Sequence, residues 1–192
     1  ASLENFIAIS GNVTTENSYT MTLKGNTDGD FTSYFTIFID WNQDGDFLDA
    51  GETINGGSIT DTDGTDVIQA VTSITVPGSA LAGQTRMRIK KLFNSASTDA
   101  CTGGSYGQSE DYTLNVTLCT PSNWYADADG DGYGTDASLV SACFSPGANY
   151  VLLGGDCNDA VASINPGAAE ICYDGIDQNC NGSTTDGCPV IT

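Results

Sequence analysis

The sequence predicts a mainly β protein: an antiparallel β-sandwich over residues 1–118, followed by a small, loop-rich, disulfide-stabilised module over residues 119–192. Three observations predict it. Before residue 119 apolar side chains recur at every second position, the period of a half-buried strand. Cysteine sits almost wholly behind the boundary: Cys101 alone precedes residue 119, whereas Cys119, Cys143, Cys157, Cys172, Cys180 and Cys188 follow it. Basic residues do the reverse, since Lys24, Arg86, Arg88, Lys90 and Lys91 are all five and none lies beyond residue 91. The change falls near Leu118 to Pro121.

Taken in order, Phe6 to Ser10 reads as the first strand. Tyr19, Met21 and Leu23 then alternate with threonines, and Phe35, Ile37 and Ile39 form the next apolar row. Ile68, Ala70, Thr72, Ile74 and Val76 make another. Met87 and Ile89 alternate with Arg86, Arg88 and Lys90, and Tyr112, Leu114, Val116 and Leu118 alternate with Asp111, Thr113, Asn115 and Thr117. Gly-, Asn- and Asp-rich stretches such as Asn55-Gly56-Gly57 read as the turns between them, and no segment has helical periodicity of useful length. Such a set is most economically an antiparallel sandwich. Arg86, Arg88 and Lys90 share one face of a strand, so Glu110 and Asp111 on an adjacent strand are their expected partners.

Composition excludes much. The chain carries 25 acidic and 5 basic residues, for a formal charge of -20. A field of that sign repels phosphates, so nucleic acid and anionic membrane surfaces are not expected partners. Histidine is absent, which removes the usual general base, the serine-triad imidazole and the imidazole ligand of zinc and copper. Neither a Cys-His pair nor a Ser triad exists. No apolar run is long enough to span a bilayer, so membrane insertion is not expected. The 39% hydrophobic content and 17 aromatic residues nevertheless call for a folded core. Seven cysteines and the lack of a signal-like first segment suggest the mature piece of an exported protein in an oxidising compartment.

Aspartate outnumbers glutamate 20 to 5, and its placement is specific. In Asp127-Ala128-Asp129-Gly130-Asp131-Gly132-Tyr133 the oxygen donors fall at positions one, three and five, with glycine at six. This is the first half of an EF-hand-type loop, in which alternation aims three carboxylates inward and the carbonyl of Tyr133 adds a further oxygen. Like charges so gathered need a cation, and calcium suits them because it takes six to eight hard oxygens in flexible geometry. Asp177, Asn179, Asn181, Gly182 and Ser183 repeat the spacing, with Asp186 downstream. Both loops lack the EF-hand glutamate at position twelve; Asp156, Asn158, Asp159 and Asp174 are the expected source of missing ligands. A third loop follows the strand that ends at Ile39: Asp40, Asn42, Asp44, Gly45 and Asp46, with Glu52 one residue beyond the twelfth position. Two to three or more calcium ions are therefore expected, and the second module is expected to be calcium-stabilised. The six cysteines of this module allow about fifteen pairings, among which sequence does not choose; the preferred set is Cys143 with Cys157, Cys172 with Cys180 and Cys119 with Cys188, leaving Cys101 unpaired or bonded outside the chain.

These residues carry two resemblances. Phe35 to Glu52, Val76-Pro77, Gly83 to Arg88 and Gly107-Gln108-Ser109-Glu110-Asp111-Tyr112 resemble the GEVED domain of large secreted proteins of Bacteroidota, over about residues 1–118. Gln108 and Ser109 replace the Glu and Val of the family signature. Trp124 to Gly134, Asp156 to Asp159, Ile164 to Ala168 and Glu170 to Gly182 resemble the MopE-type metal-binding repeat. That family is labelled copper-binding, but hard oxygen donors without histidine select calcium. The first resemblance implies a β-sandwich of accessory or adhesive kind without catalysis. Together they imply a type 9 secretion substrate.

The expectation is a non-enzymatic, calcium-stabilised structural or adhesive segment of a secreted or cell-surface bacterial protein. Its partners would be neighbouring modules of a longer chain, another surface protein or a glycan. The alternative is a carbohydrate-binding accessory module of a secreted enzyme.

Overall fold

The structure is a computed structural model that describes residues 2–102 and 106–189. It is mainly β, and its only helical element among the described residues is a single 3₁₀ turn at Asp136–Ser138. The chain divides into two compact units, Ala1–Cys119 and Thr120–Thr192.

The first unit contains β1 (Ser2–Thr14), β2 (Ser18–Leu23), β3 (Thr32–Ile39), β4 (Thr53–Thr60), β5 (Ala70–Thr75), β6 (Gly83–Phe93) and β7 (Gly107–Thr117). A five-stranded sheet runs β1-β7-β6-β3-β4 and faces a two-stranded sheet of β2 and β5. The alternating residues do what their period implies. Phe35, Ile37 and Ile39 of β3, Met87 of β6, and Leu114 and Val116 of β7 meet Leu23, Ala70 and Ile74 from the smaller sheet in one buried cluster.

Two expectations about this unit are corrected. The five-stranded sheet is mixed, because β1 runs parallel to β7. Alternation identifies a strand but not its neighbour, and the first and last strands of a unit have all the intervening chain as a crossover, which parallel pairing requires. The register of this pair shifts between Asn5 and Ser10, where Phe6 swings out to stack on Tyr112, ring centroids 5.6 Å apart. The second correction concerns Asn55-Gly56-Gly57, expected as a turn, which lies inside β4. Phe35 faces Gly57 while Thr36 faces Asn55, so Gly56 is the extra residue of a bulge. A Cβ on Gly56 would stand 2.7 Å from the Phe35 Cβ and 2.9 Å from Leu23 Cδ1. The glycines mark the close approach of the two sheets rather than a reversal of the chain.

The outer face of the large sheet is also partly covered. Register places Arg88 opposite Asp111, and Arg88 Nε and Nη2 donate to Asp111 Oδ1 and Oδ2 at 2.6 and 2.8 Å. Arg88 Nη1 donates to the Ala100 carbonyl at 3.0 Å. Lys90, 1% exposed, donates from Nζ to the carbonyls of Asp99 and Thr102. The segment after β6 is thus folded back on the sheet by two cations of β6, and burial holds the Lys90 ammonium below its ordinary pKa. Cys101 in this segment is an exposed free cysteine.

The second unit has β8 (Ser122–Ala126), β9 (Val140–Ala142) and β10 (Tyr150–Val151) in the order β10-β8-β9. Its described residues include no buried apolar side chain; those that are buried are Asp127, Gly134, Asp156 and Gln178. Disulfides join Cys157 to Cys180 and Cys172 to Cys188, and Cys119 and Cys143 are disulfide-bonded as well. This corrects the expected pairing: Cys180 lies inside the second acidic loop, and that loop packs beside Asp156-Cys157 rather than returning to Cys172.

Removing one member of a buried ion pair strands the other, at a cost of about 3 kcal/mol or more. Arg88 and Asp111 side chains are 13% and 6% exposed, whereas Arg86 is 54% exposed and 3.9 Å from Asp111. Urea denaturation is therefore expected to show Arg88→Ala destabilised by about 3 kcal/mol and Arg86→Ala changed by less than about 0.5 kcal/mol. A second expectation concerns Tyr112, whose hydroxyl donates to Glu110 Oε2 at 2.7 Å. Burial first, and then Glu110, push its pKa up to about 12. With the folded pKa above the unfolded value, stability is complete below pH 10 and falls as the pH rises toward 12. Denaturation across that range checks it, and Tyr112→Phe should remove the fall.

Candidate metal centre

Three loops are wound by one hydrogen-bond pattern. The leading aspartate accepts backbone N–H groups from the residue five ahead and from one three or four ahead. Asp40 takes Asp44 and Gly45, Asp127 takes Gly130 and Gly132, and Asp177 takes Asn181 and Gly182. Position three accepts from position five: Asn42 from Asp44, Asp129 from Asp131, and Asn179 from Asn181. Position five accepts from position seven: Asp44 from Asp46, Asp131 from Tyr133, and Asn181 from Ser183. The sixth residue turns the chain with φ of +95°, +97° and +88° at Gly45, Gly132 and Gly182, a region that glycine alone enters freely. Short side chains with an oxygen one bond from the branch are what such Asx turns need.

The loop after β8 is the richest. The Asp156 N–H donates to the Gly134 carbonyl, and the Gly134 N–H donates to Leu153, which lays residues 153–156 against the exit of the loop. A Cβ on Gly134 would stand 2.4 Å from the Ala126 carbonyl oxygen, so only glycine permits that approach. Asp159 reaches the other side, where its Oδ1 accepts the Ala128 N–H at 2.7 Å. Carboxylate oxygens of Asp127, Asp129 and Asp159 consequently lie within 4.8 Å of one another, as do those of Asp129, Asp131 and Asp156. Asp129 Oδ2 and Asp156 Oδ2 are buried with no hydrogen-bond partner. The Asp129 carboxyl is held above its ordinary pKa by lost solvation and then by Asp131. Burial does the same at Asp156, with Asp131 and Asp129 adding to it.

The other expected residues are distributed as follows. Asn158 forms the turn after Asp156, its N–H donating to Asp156 Oδ1. Asp174 stands apart, since its Oδ1 accepts the Ile176 N–H and its Oδ2 accepts Gln178 Nε2. In the loop from Asp177 to Ser183, Asp186 closes the far side: its Oδ2 accepts the Asn179 and Asn181 amides at 3.2 and 2.8 Å, which lower its pKa, Asn181 first. In the sandwich loop, the exposed carboxylates of Asp44, Asp46 and Asp49 cluster. Asp40 is buried and engaged with the backbone. Glu52, 1% exposed, accepts the Trp41 and Asp49 N–H groups and is raised in pKa chiefly by its burial. It clasps the two ends of the loop together.

Residues missed by the sequence reading include Asp49, which joins the sandwich cluster. Asn165 donates from Nδ2 to Asp131 Oδ2 at 2.8 Å and braces it from outside the loop. Glu170 accepts the Asn179 N–H through Oε1 and keeps a buried, unpartnered Oε2. Asp49 lies in the loop itself but off its one-three-five spacing, whereas Asn165 and Glu170 arrive from other segments that no spacing rule points to.

The donor set is carboxylate, amide and backbone oxygen, which fits a hard cation such as calcium and offers copper no imidazole. The unpartnered oxygens of Asp129 and Asp156 are the atoms that such an ion would satisfy.

Residues 34–115 match the family model described as "GEVED domain", and residues 156–186 match one described as "Putative metal-binding motif", of the MopE copper-binding type. No curated protein matches the chain significantly. Solved structures similar to it include a family 123 glycoside hydrolase from Clostridium perfringens, with a TM-score of 0.39 and 11% identity, over 66% of this chain and 26% of that one. A Bacillus amyloliquefaciens CBM33 protein in complex with Cu(I) has a TM-score of 0.28 and 15% identity, over 57% of this chain and 56% of that one. The chain thus spans about a quarter of the hydrolase, and both likenesses are too slight to argue from. What the family models establish is the order of parts: the chain carries a GEVED domain followed by a MopE-type metal-binding motif.

Proposed function

We propose that the chain is a calcium-stabilised, non-enzymatic structural or adhesive segment of a secreted or cell-surface bacterial protein, of the kind exported by type 9 secretion. One observation carries the reading. The interior of the second unit is a pocket of carboxylates with two buried, unpartnered oxygens, in the place where an apolar core would otherwise be. Burying an unpaired charge is among the costliest things a fold can do. A cation converts that cost into the bond that holds the unit together. Disulfides and an extracellular supply of calcium suit the same compartment.

The carboxylates have structural duties that fit this role better than catalysis. Asp40, Asp44, Asp127, Asp129, Asp131 and Asp177 already accept backbone N–H groups that wind their loops. The expected partners are neighbouring modules of a longer chain, another surface protein or a glycan.

A second reading, a carbohydrate-binding accessory module of a secreted enzyme, is favoured by one feature of the sandwich. A cavity of about 470 Å³ is lined by Phe31, Phe93 and Tyr106 together with Asp28, Lys91 and Gln108. The three rings are exposed and meet edge to face at 5.5 and 6.3 Å. Aromatic faces beside hydrogen-bonding groups are what a sugar ring needs, so glycan-array binding abolished by Phe93→Ala would move the assignment to this reading.

The main test is thermal melting with limited proteolysis in calcium, in magnesium and in chelator, with disulfides intact and reduced. Calcium at a hundredfold excess over its dissociation constant should add about 2.7 kcal/mol per site. Chelation should therefore expose residues 120–189 to protease well before the sandwich, and Asp131→Ala should reproduce that loss. Melting and cleavage unchanged by chelator under both redox conditions would refute the calcium reading.

A further inference from the structure

We propose that the pocket formed by Asp127, Asp129, Asp131, Asp156 and Asp159 holds two divalent cations with Asp129 shared between them. The proposal rests on the calcium reading and sets its stoichiometry and ligands; Asp127, Asp129 and Asp131 lie outside the matched metal-binding motif.

A single ion in an EF-type loop draws positions one, three and five onto one point. This loop divides them. Asp127 groups with Asp129 and Asp159, and Asp131 groups with Asp129 and Asp156, so Asp129 is the common member of two triads. Oxygens on opposite sides of one calcium ion stand about 4.8 Å apart, at calcium–oxygen distances of about 2.4 Å, and each triad is gathered within that span. The distant segment contributes evenly: Asp156 joins one triad and Asp159 the other.

An independent sign of a ligand comes from Asp156. It is 5% exposed, its Oδ1 accepts the Asn158 N–H, its Oδ2 is buried with no hydrogen-bond partner, and its carboxylate belongs to the triad with Asp129 and Asp131. Asp129 has the same division, with Oδ1 on the Asp131 N–H and Oδ2 buried and bare. Both oxygens of Asp127 and of Asp131, and Oδ1 of Asp159, are each steadied by a single hydrogen bond, from Gly130, Gly132, Tyr133, Asn165 and Ala128. A carboxylate oxygen so engaged keeps a lone pair for an ion.

Charge points the same way. The five carboxylates carry five negative charges; one divalent ion leaves three of them unbalanced in a pocket that includes two buried residues, and two ions leave one. Carboxylate-bridged ions in protein sites stand about 3.5–4 Å apart, a separation that one aspartate spans with its two oxygens. Calcium is the expected ion, because its coordination tolerates two adjacent, irregular shells, whereas magnesium demands near-ideal octahedra and keeps its waters.

Native mass spectrometry of the oxidised full chain in calcium tests this against Asp156→Asn, Asp159→Asn and Asp129→Asn. The first two variants should each bind one ion fewer than the parent, and Asp129→Asn two fewer. Loss of one ion only in Asp129→Asn would overturn the shared pair while leaving the calcium reading in place. No loss in any of the three would sink that reading too. Electron paramagnetic resonance of the unmutated protein loaded with Mn²⁺ gives a readout that does not depend on a variant folding. A broadened, exchange-coupled signal is expected, and a spectrum of isolated six-line centres alone would overturn the proposal.

Discussion

Repulsion among carboxylates is the constraint on which residues 120–189 depend. Two unit charges about 4 Å apart repel by about 4 kcal/mol at an effective dielectric near 20, and the acidic pocket gathers five. The chain offers only partial compensation through backbone N–H groups, since Asp129 Oδ2 and Asp156 Oδ2 receive none. Among the described residues of this unit no buried apolar cluster pulls the segments together against that repulsion. The placement of β8, the run from Leu153 to Asp156 and the turn at Asp159 therefore makes physical sense only with positive charge at their centre. On the proposed reading a cation would organise this unit in the way that Ile37 and Ile39 organise the sandwich.

The sandwich meets buried charge differently. Asp111 is answered by a guanidinium in bidentate contact, Lys90 by backbone carbonyls, and Glu52 by the N–H groups of Trp41 and Asp49. Each is satisfied from within, so the unit has an apolar core and does not need an ion to hold its sheets together. Its own acidic loop accordingly leaves Asp44, Asp46 and Asp49 at the surface. The same loop winding thus occurs in two settings, one an ornament of a finished core and one the interior itself.

The sequence was informative where a local rule applies. Period-two alternation marked β2, β3, β5, β6 and β7 because each has one face on a core. It could not mark β4, where a side chain in place of Gly56 would collide with Phe35 and Leu23 and one in place of Gly57 would crowd Ala70, nor the direction of β1, which is set by a partner at the far end of the unit. The loop pattern Asp-x-Asp-x-Asp-Gly was legible for the same local reason, since its hydrogen bonds span at most five residues. The reach of Asp156 and Asp159 was anticipated in kind but not in its division between two triads. Asn165 and Glu170 were invisible as site residues, because what they touch is decided by the fold of the whole unit.

The disulfides bear on the same elements from the other side of the folding equilibrium. Cys157 follows Asp156 directly, and Cys180 lies within the second loop between Asn179 and Asn181, itself in the left-handed region at φ +59°. The bond between them closes a span of 23 residues, which by loop entropy alone disfavours the unfolded chain by about 3 kcal/mol. It does so while holding a ligand segment of the acidic pocket beside the second loop. An ion acts only on the folded chain, where its ligands converge, and a disulfide acts chiefly on the unfolded one, where it shortens the search. In a unit without an apolar interior the two would be complementary: the covalent link fixes Asp156-Cys157 beside the second loop, and a bound cation would favour the return of Asp156 to the loop that begins at Asp127.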